Sequence, residues 1–302
     1  MKKSNLLGVK LIIFCFASLF YSTRVLADEL IPVEINNSGS SPNSPVQIYV
    51  PQPEVNSTPE LNSSPVCSSS PDSFIEQIIG PDSNKWGILV ETLQDGNDIY
   101  VHNADRHFIP ASNVKLFTTA AALQRLNPDS PIHSTTVKDW ITFMNLRSDN
   151  DYAETLSRYI GGVNEEIRAL SQLGLNPNSY HLVDGSGLSH DNQATPRAIV
   201  STLRAMYFSP NGRIFENSLP IAGISGTLRN RMKLSPAEGR VHAKTGTLTG
   251  VRALSGYIEN PQSGTLVFSI LVNRLDIDGD QLKHNIDQIA IGLSAWIPCT
   301  LK

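Results

Sequence analysis

Hydrophobic residues fall into three rhythms along this chain of 302 residues. The first is an unbroken apolar run, Leu11 to Phe20, preceded by Lys2, Lys3 and Lys10 and followed by Val25-Leu26-Ala27. That is the layout of a secretory signal peptide, with cleavage expected after Ala27. The run is short for a membrane span, and an uncleaved anchor is the alternative. Cys15 follows Phe14 rather than a small residue, which argues against a lipoprotein signal. Residues 28–70 have no rhythm. Pro, Ser and Asn dominate, as in Ser38-Gly39-Ser40-Ser41-Pro42-Asn43-Ser44-Pro45. Large apolar groups are too few there to offset the entropy of ordering, so the segment reads as a disordered spacer. Val46-Gln47-Ile48-Tyr49-Val50 is its one strand-like stretch.

The helical rhythm appears first behind Asp72-Ser73, which can cap a helix carrying Phe74, Ile75, Ile78 and Ile79 on one face. Leu116 to Leu123 is small and apolar on nearly all sides, the pattern of a buried helix. Further helices are expected over 136–144, 149–160, 197–206 and 280–296, the last with Ile286, Ile289, Leu293 and Trp296 in step. The strand rhythm marks Trp86 to Glu91 and Asp98 to Val101, joined as a hairpin through Gln94-Asp95-Gly96-Asn97. It returns in Arg240 to Lys244, Arg252 to Ile258 and Thr265 to Asn273. The order is helix, two strands, a helical block, three strands, helix. Strands clustered at both ends can form one antiparallel sheet with the helical block as a second lobe, an α+β fold over residues 71–302. The sequence contains no evident internal repeat.

Charge narrows the function. The chain carries 24 basic and 28 acidic residues. Loss of Lys2, Lys3, Lys10 and Arg24 with the signal leaves a net charge of −8. Nothing then draws the protein to phosphate, and no basic stripe appears, so nucleic-acid binding is excluded. Cleavage also removes Cys15 and leaves Cys67 and Cys299. In an oxidising compartment they can pair if the first and last helices pack together; two free thiols are the other reading. Neither the cysteines nor His181, His190 and His242 have metal-ligand spacing.

Three short segments carry chemistry. Ser112-Asn113-Val114-Lys115 places a hydroxyl and an amine about one turn apart at the start of the buried helix. A serine hydroxyl needs an adjacent base, and burial can make a lysine one. Alone, the pair is equally a capping serine and a snorkelling lysine. Ser148-Asp149-Asn150 precedes a helix and is equally a cap. Its functional reading gives Ser148 a proton relay and Asn150 a hydrogen bond to a substrate backbone, while Asp149 holds the loop. Lys244-Thr245-Gly246-Thr247 ends a strand. Lys244, Thr245 and Thr247 can hold a free carboxylate, Gly246 can let a peptide lie against the strand, and the Thr247 N–H can serve an oxyanion. The bland reading is a strand end with a polar turn. Asp184-Gly185-Ser186-Gly187 lacks the glycine two before its serine that a nucleophile elbow needs, and reads as a tight structural loop.

The order S-x-x-K, S-D-N, K-T-G, with Pro110-Ala111 before Ser112, Asp184-Gly185-Ser186-Gly187-Leu188-Ser189, Gly226-Thr227-Leu228 and Ala243-Lys244-Thr245-Gly246-Thr247-Leu248-Thr249-Gly250, resembles the class C low-molecular-mass penicillin-binding proteins of the D-alanyl-D-alanine carboxypeptidase/endopeptidase type. The resemblance runs from about Ser70 to Cys299. It implies the penicillin-recognising serine transferase (β-lactamase/transpeptidase-like) fold and a serine peptidase of peptidoglycan stem peptides, inhibited covalently by β-lactams. It further implies no metal or organic cofactor, while the signal-like run leads one to expect a secreted protein of the periplasmic or cell-wall compartment. Ser112 matches the nucleophile, Lys115 the base, Ser148 and Asn150 the second motif, Lys244, Thr245 and Gly246 the third, and Thr247 the oxyanion donor. One departure is large: members usually carry a long insertion between the first two motifs, whereas 32 residues separate Lys115 from Ser148 here. Two rivals remain. A serine β-lactamase would need a glutamate-activated water, but Glu165, Glu166 and Glu216 stand in no E-x-x-L-N context. A catalytically silent wall-binding module is the other.

Overall fold

The computed structural model describes residue 67 and residues 70–299. The signal-like run and nearly all of the Pro/Ser/Asn-rich stretch lie outside them. The chain opens with α1 (Asp72–Ile79), then the hairpin β1 (Trp86–Thr92) and β2 (Asp98–His102). A 3-10 turn, Ala111–Asn113, leads into α2 (Val114–Arg125). A short hairpin, β3 (Pro131–Ile132) and β4 (Thr135–Thr136), precedes α3 (Val137–Arg147) and α4 (Asn150–Ile160). Then come α5 (Val163–Gln172), the small pair β5 (Tyr180–His181) and β6 (Gln193–Ala194), α6 (Pro196–Tyr207) and α7 (Gly212–Asn217). The chain closes with β7 (Val241–Leu248), β8 (Val251–Asn260), β9 (Gly264–Asn273) and α8 (Gly279–Ala295).

The sheet runs β2-β1-β9-β8-β7, every neighbouring pair antiparallel. Strands from the two ends of the sequence thus share one sheet, as the pattern predicts. Both faces are covered, so successive residues serve different cores. On one face Leu89, Ala253, Tyr257, Val267 and Leu271 pack against the helical lobe around α2 and α6. On the other, Ile88, Val90, Leu254, Ile258, Phe268 and Ile270 pack beneath α1 and α8. Helix α2 runs through the lobe with every residue from Val114 to Leu123 buried, Lys115 included. Between Lys115 and Ser148 the chain forms only the rest of α2, the β3–β4 hairpin and α3.

Helix α5 is absent from the sequence expectation. Its apolar face, Val163, Ile167 and Leu170, follows Gly161-Gly162 at helical spacing, but Glu165-Glu166 breaks the stripe. The break misleads because Glu166 is itself buried.

Cys67 and Cys299 form a disulfide that ties the segment before α1 to the end of α8, choosing between the two readings left open. The helices approach closely: a Cβ on Gly292 of α8 would lie 2.6 Å from the Phe74 ring of α1. The bond closes a loop of sequence separation 232. By chain entropy, and allowing for structure in the reduced chain, it contributes about 2–5 kcal/mol. Reduction, or Cys67→Ser, is expected to lower the thermal midpoint by about 5–15 °C. Scanning calorimetry with and without reductant checks this, and an unchanged midpoint would contradict the bridge's stabilising role.

Candidate active site

The turn Pro110-Ala111-Ser112 is clamped from two sides. Ala111 has φ 48, a left-handed conformation that costs an L-residue roughly 1–2 kcal/mol. Two glycines hold it there. A Cβ on Gly187 would stand 1.9 Å from the Ala111 carbonyl oxygen. One on Gly246 of β7 would meet the Pro110 oxygen at 2.7 Å and the Ala111 Cβ at 3.2 Å. A buried polar chain pins the next residue to the sheet: Asn113 Nδ2 donates to Ser255 Oγ at 3.0 Å, and Ser255 Oγ to Ser269 Oγ at 2.9 Å. Ser112 caps no helix; its hydroxyl faces the lysine one turn on.

Lys115 is fully buried, and its Nζ lies 3.1 Å from Ser112 Oγ, 2.8 Å from Asn150 Oδ1 and 2.6 Å from the Ser186 carbonyl oxygen. Burial lowers its pKa to about 8, against the charges of Asp184, Glu154 and Asp149, which raise it. A neutral amine has two N–H bonds and one lone pair. Asn150 and Ser186 offer only acceptor oxygens, so they take the two protons. The lone pair is then left for Ser112. In that arrangement neutral Lys115 can accept a proton from Ser112.

The second motif divides its labour. Asp149 is the cap of α4, accepting from the Tyr152 N–H at 3.0 Å. That frees its neighbours to face the cleft. Ser148 closes α3 in a left-handed conformation, φ 56. Helix α3 is tied to α2 by Asn145, whose Nδ2 donates to Thr119 Oγ1 at 3.1 Å and to Ser218 Oγ at 2.9 Å.

Lys244 is also fully buried, donating to Ser148 Oγ at 2.7 Å and to the Thr245 carbonyl at 3.0 Å. Burial first, then the charge of Lys115, pushes its pKa well below the usual lysine value. Lys244 thus stands behind Ser148 rather than in the cleft wall. Gly246 is buried under the Ala111 turn, so its missing side chain makes room for that turn.

Thr245 and Thr247 line an open cleft of about 600 Å³ together with Ser112, Ser148, Asn150 and Thr227. Strand β7 lies at the sheet edge. The Ala243 N–H donates outward to the Pro220 oxygen at 2.9 Å. Backbone direction repeats every two residues along a strand, so the Thr245 and Thr247 N–H groups point to the same outer edge. There the Thr245 and Thr227 hydroxyls stand 2.8 Å apart.

The eight sequence candidates therefore converge, Ser112, Ser148, Asn150, Thr245 and Thr247 lining one crevice and Lys115, Lys244 and Gly246 packed beneath it. The loop 184–189 does more than its sequence discloses. Asp184 gathers the N–H groups of Ser186, Gly187 and Ser189 at 3.2, 2.6 and 2.7 Å, which presents the Ser186 carbonyl to Lys115. A backbone acceptor has no side-chain signature; the clue in the sequence is Asp followed by two glycines. Glu165 lies at the surface beside Arg125 and Arg168, Glu216 beside His242, and neither they nor Glu166 line the cleft.

The model of the D-Ala-D-Ala carboxypeptidase 3 (S13) family matches residues 72–138 and 130–295. The chain belongs to this family. The two matches meet between the first and second motifs. Among individual relatives, a D-alanyl-D-alanine carboxypeptidase of Actinomadura sp. (strain R39) is 41% identical over 152 residues, 44% of this chain and 27% of that protein. A penicillin-sensitive carboxypeptidase A of Dictyostelium discoideum is 35% identical over 180 residues, 53% of this chain and 34% of its own length. The chain thus spans about a third of the length of the curated relatives it matches. Penicillin-binding protein 4 of Haemophilus influenzae superposes with a TM-score of 0.61 at 15% identity, covering 73% of this chain and 98% of that one. A β-lactamase from Chitinophaga pinensis gives 0.60 at 17%, covering 74% and 97%. These likenesses establish the penicillin-recognising serine hydrolase fold, which the family shares with β-lactamases.

Proposed function

We propose that this protein is a serine-type D-alanyl-D-alanine carboxypeptidase acting on peptidoglycan stem peptides, and that penicillins acylate it at Ser112. One observation carries the reading: Lys115 Nζ meets Ser112 Oγ while Lys244 Nζ meets Ser148 Oγ, two serine–lysine pairs in one cleft. Neutral Lys115 takes the Ser112 proton as Oγ bonds the penultimate D-alanine carbonyl carbon. The Thr247 N–H, facing the open edge, and the Ser112 N–H stabilise the oxyanion. The C–N bond then breaks, and a proton relayed through Ser148 leaves with the D-alanine amine. The Thr245, Thr247 and Thr227 hydroxyls receive the terminal carboxylate, and Asn150 a backbone amide of the stem. Water returns the enzyme by hydrolysing the ester, with Lys115 again taking a proton.

The signal-like N-terminus and the spacer support export, with residues 28–70 as a tether and 71–302 as the catalytic part. Penicillins present a carboxylate and a strained amide where the D-alanyl peptide presents its own, so the same contacts hold them.

The test is twofold. Purified protein should release D-alanine from a stem pentapeptide. Intact-protein mass after benzylpenicillin should rise by one adduct, absent in Ser112→Ala. Rapid turnover of penicillin without a lasting adduct would favour a β-lactamase, and neither adduct nor D-alanine would leave a silent binding module.

A further inference from the structure

Glu166 of α5 is a fully buried carboxyl that the reaction above does not use. Its Oε2 lies 3.2 Å from Thr118 Oγ1, one turn beyond Lys115 on α2. The same hydroxyl lies 2.8 Å from the Gly185 carbonyl oxygen. A threonine has one hydroxyl proton, and a carbonyl can only accept. The shorter contact therefore takes that proton. The longer one is a hydrogen bond only if Glu166 brings its own. Glu166 Oε1 is buried and makes no well-formed hydrogen bond among the described residues, with the Ser157 hydroxyl as the donor beside it, a sparse setting that a carboxylate oxygen tolerates less well than a neutral acid does. The loop backbone presses on this group: a Cβ on Gly185 would stand 3.2 Å from Oε1 and 2.6 Å from Ser157 Cβ. Gly185 precedes Ser186, whose carbonyl accepts from Lys115.

We propose that Glu166, held as the neutral acid, is a positioning residue for acylation, fixing through Thr118 the Gly185–Ser186 peptide that orients Lys115. The inference rests on the assignment of Lys115 as base to Ser112. Ionised Glu166 would draw the Thr118 proton to itself, and the Gly185 carbonyl would lose its donor. The charged groups around it agree on the direction. Glu154 on α4 and Asp184 on the loop both oppose ionisation. Glu165, on its own helix, is turned away to Arg125 and Arg168. Burial dominates and, with those carboxylates and against the Ser157 and Thr118 hydroxyls, raises the Glu166 pKa to about 7.

The acylation rate with a fluorescent penicillin is to be followed across pH for wild type and Glu166→Gln, whose amide can donate to Thr118 permanently. At about pH 6 the two should agree within about threefold, and by about pH 9 the variant-to-wild-type ratio should rise at least about tenfold. Infrared spectra of unmodified wild type should show a buried protonated carboxyl at about pH 6 that fades through about pH 7 and is missing in Glu166→Gln. This readout stands even if the variant folds poorly. Parallel rate profiles, or no protonated Glu166 in wild type, would overturn the proposal. Failure of wild type to acylate at any pH is a different result, which removes the assignment of Ser112 and Lys115 on which the proposal rests.

Discussion

Lys115→Ala is expected to slow acylation by penicillin about 10³-fold while leaving the fold intact. The substitution removes the one group whose lone pair faces Ser112 Oγ at 3.1 Å. It leaves the Asn150 and Ser186 oxygens without their donor. With a Lys115 pKa of about 8, roughly one molecule in ten carries the neutral base at pH 7. The wild-type rate should therefore fall about tenfold per unit as pH drops below neutrality. That acid limb should vanish in Lys115→Ala. Lys115→Arg should not restore it, because arginine stays charged. Stability moves with the same group. Its pKa is depressed from 10.5 in the folded state, so the unfolded chain binds more protons between about pH 8 and 10.5. Burial of the charged lysine costs stability below that window, and the cost is relieved as pH rises through it. Stopped-flow acylation and circular-dichroism melts measure both. An acid limb that persists unchanged in Lys115→Ala would assign the base elsewhere.

Much of this site is legible before folding because its key spacings are short. Ser112 and Lys115 are three residues apart, so helical geometry alone brings them together. Ser148 and Asn150 flank a residue that is a good cap, and a cap fixes the direction of its neighbours. Lys244 through Thr247 alternate along an edge strand, which separates their faces. What the sequence does not disclose depends on distance in the chain or on backbone atoms. The Ser186 carbonyl is a ligand of Lys115 across 71 residues and leaves no residue-type signal. Lys244 looks like a surface cation by type, yet it is fully buried on Ser148. Glu166 breaks an amphipathic stripe and hides α5 because a buried acid is rare and reads as solvent-facing. That the strands share one sheet is legible from their clustering at the chain ends, and the strand beside the cleft from its K-T-G motif, but the order of strands across the sheet is not.

Gly187→Ala should be the most damaging substitution of a residue with no chemistry of its own. Gly187 has φ +81, which alone costs an alanine about 1–2 kcal/mol. The added methyl would lie 1.9 Å from the Ala111 carbonyl oxygen and 3.1 Å from the Ser112 nitrogen. Those are main-chain atoms of a turn already held in a left-handed conformation, so no side-chain rotation relieves the overlap. Either the 184–189 loop lifts or the nucleophile turn is pushed toward β7, where Gly246 leaves no slack. Lifting the loop withdraws the Ser186 carbonyl from Lys115. Pushing the turn moves Ser112 itself and the N–H it offers an oxyanion. Combined strain and overpacking should cost about 3 kcal/mol or more of stability. A displacement near 1 Å at the reacting centre costs about 10²-fold in rate. Gly264→Ala at the start of β9 is the control, since it shares a positive φ of 78 and a Cβ there meets nothing within 4 Å. It should lose stability and keep the acylation rate of the folded protein. Denaturant unfolding and penicillin acylation of both variants separate backbone strain from displacement of the nucleophile, and equal acylation by Gly187→Ala and wild type would show that the loop can yield without moving Ser112.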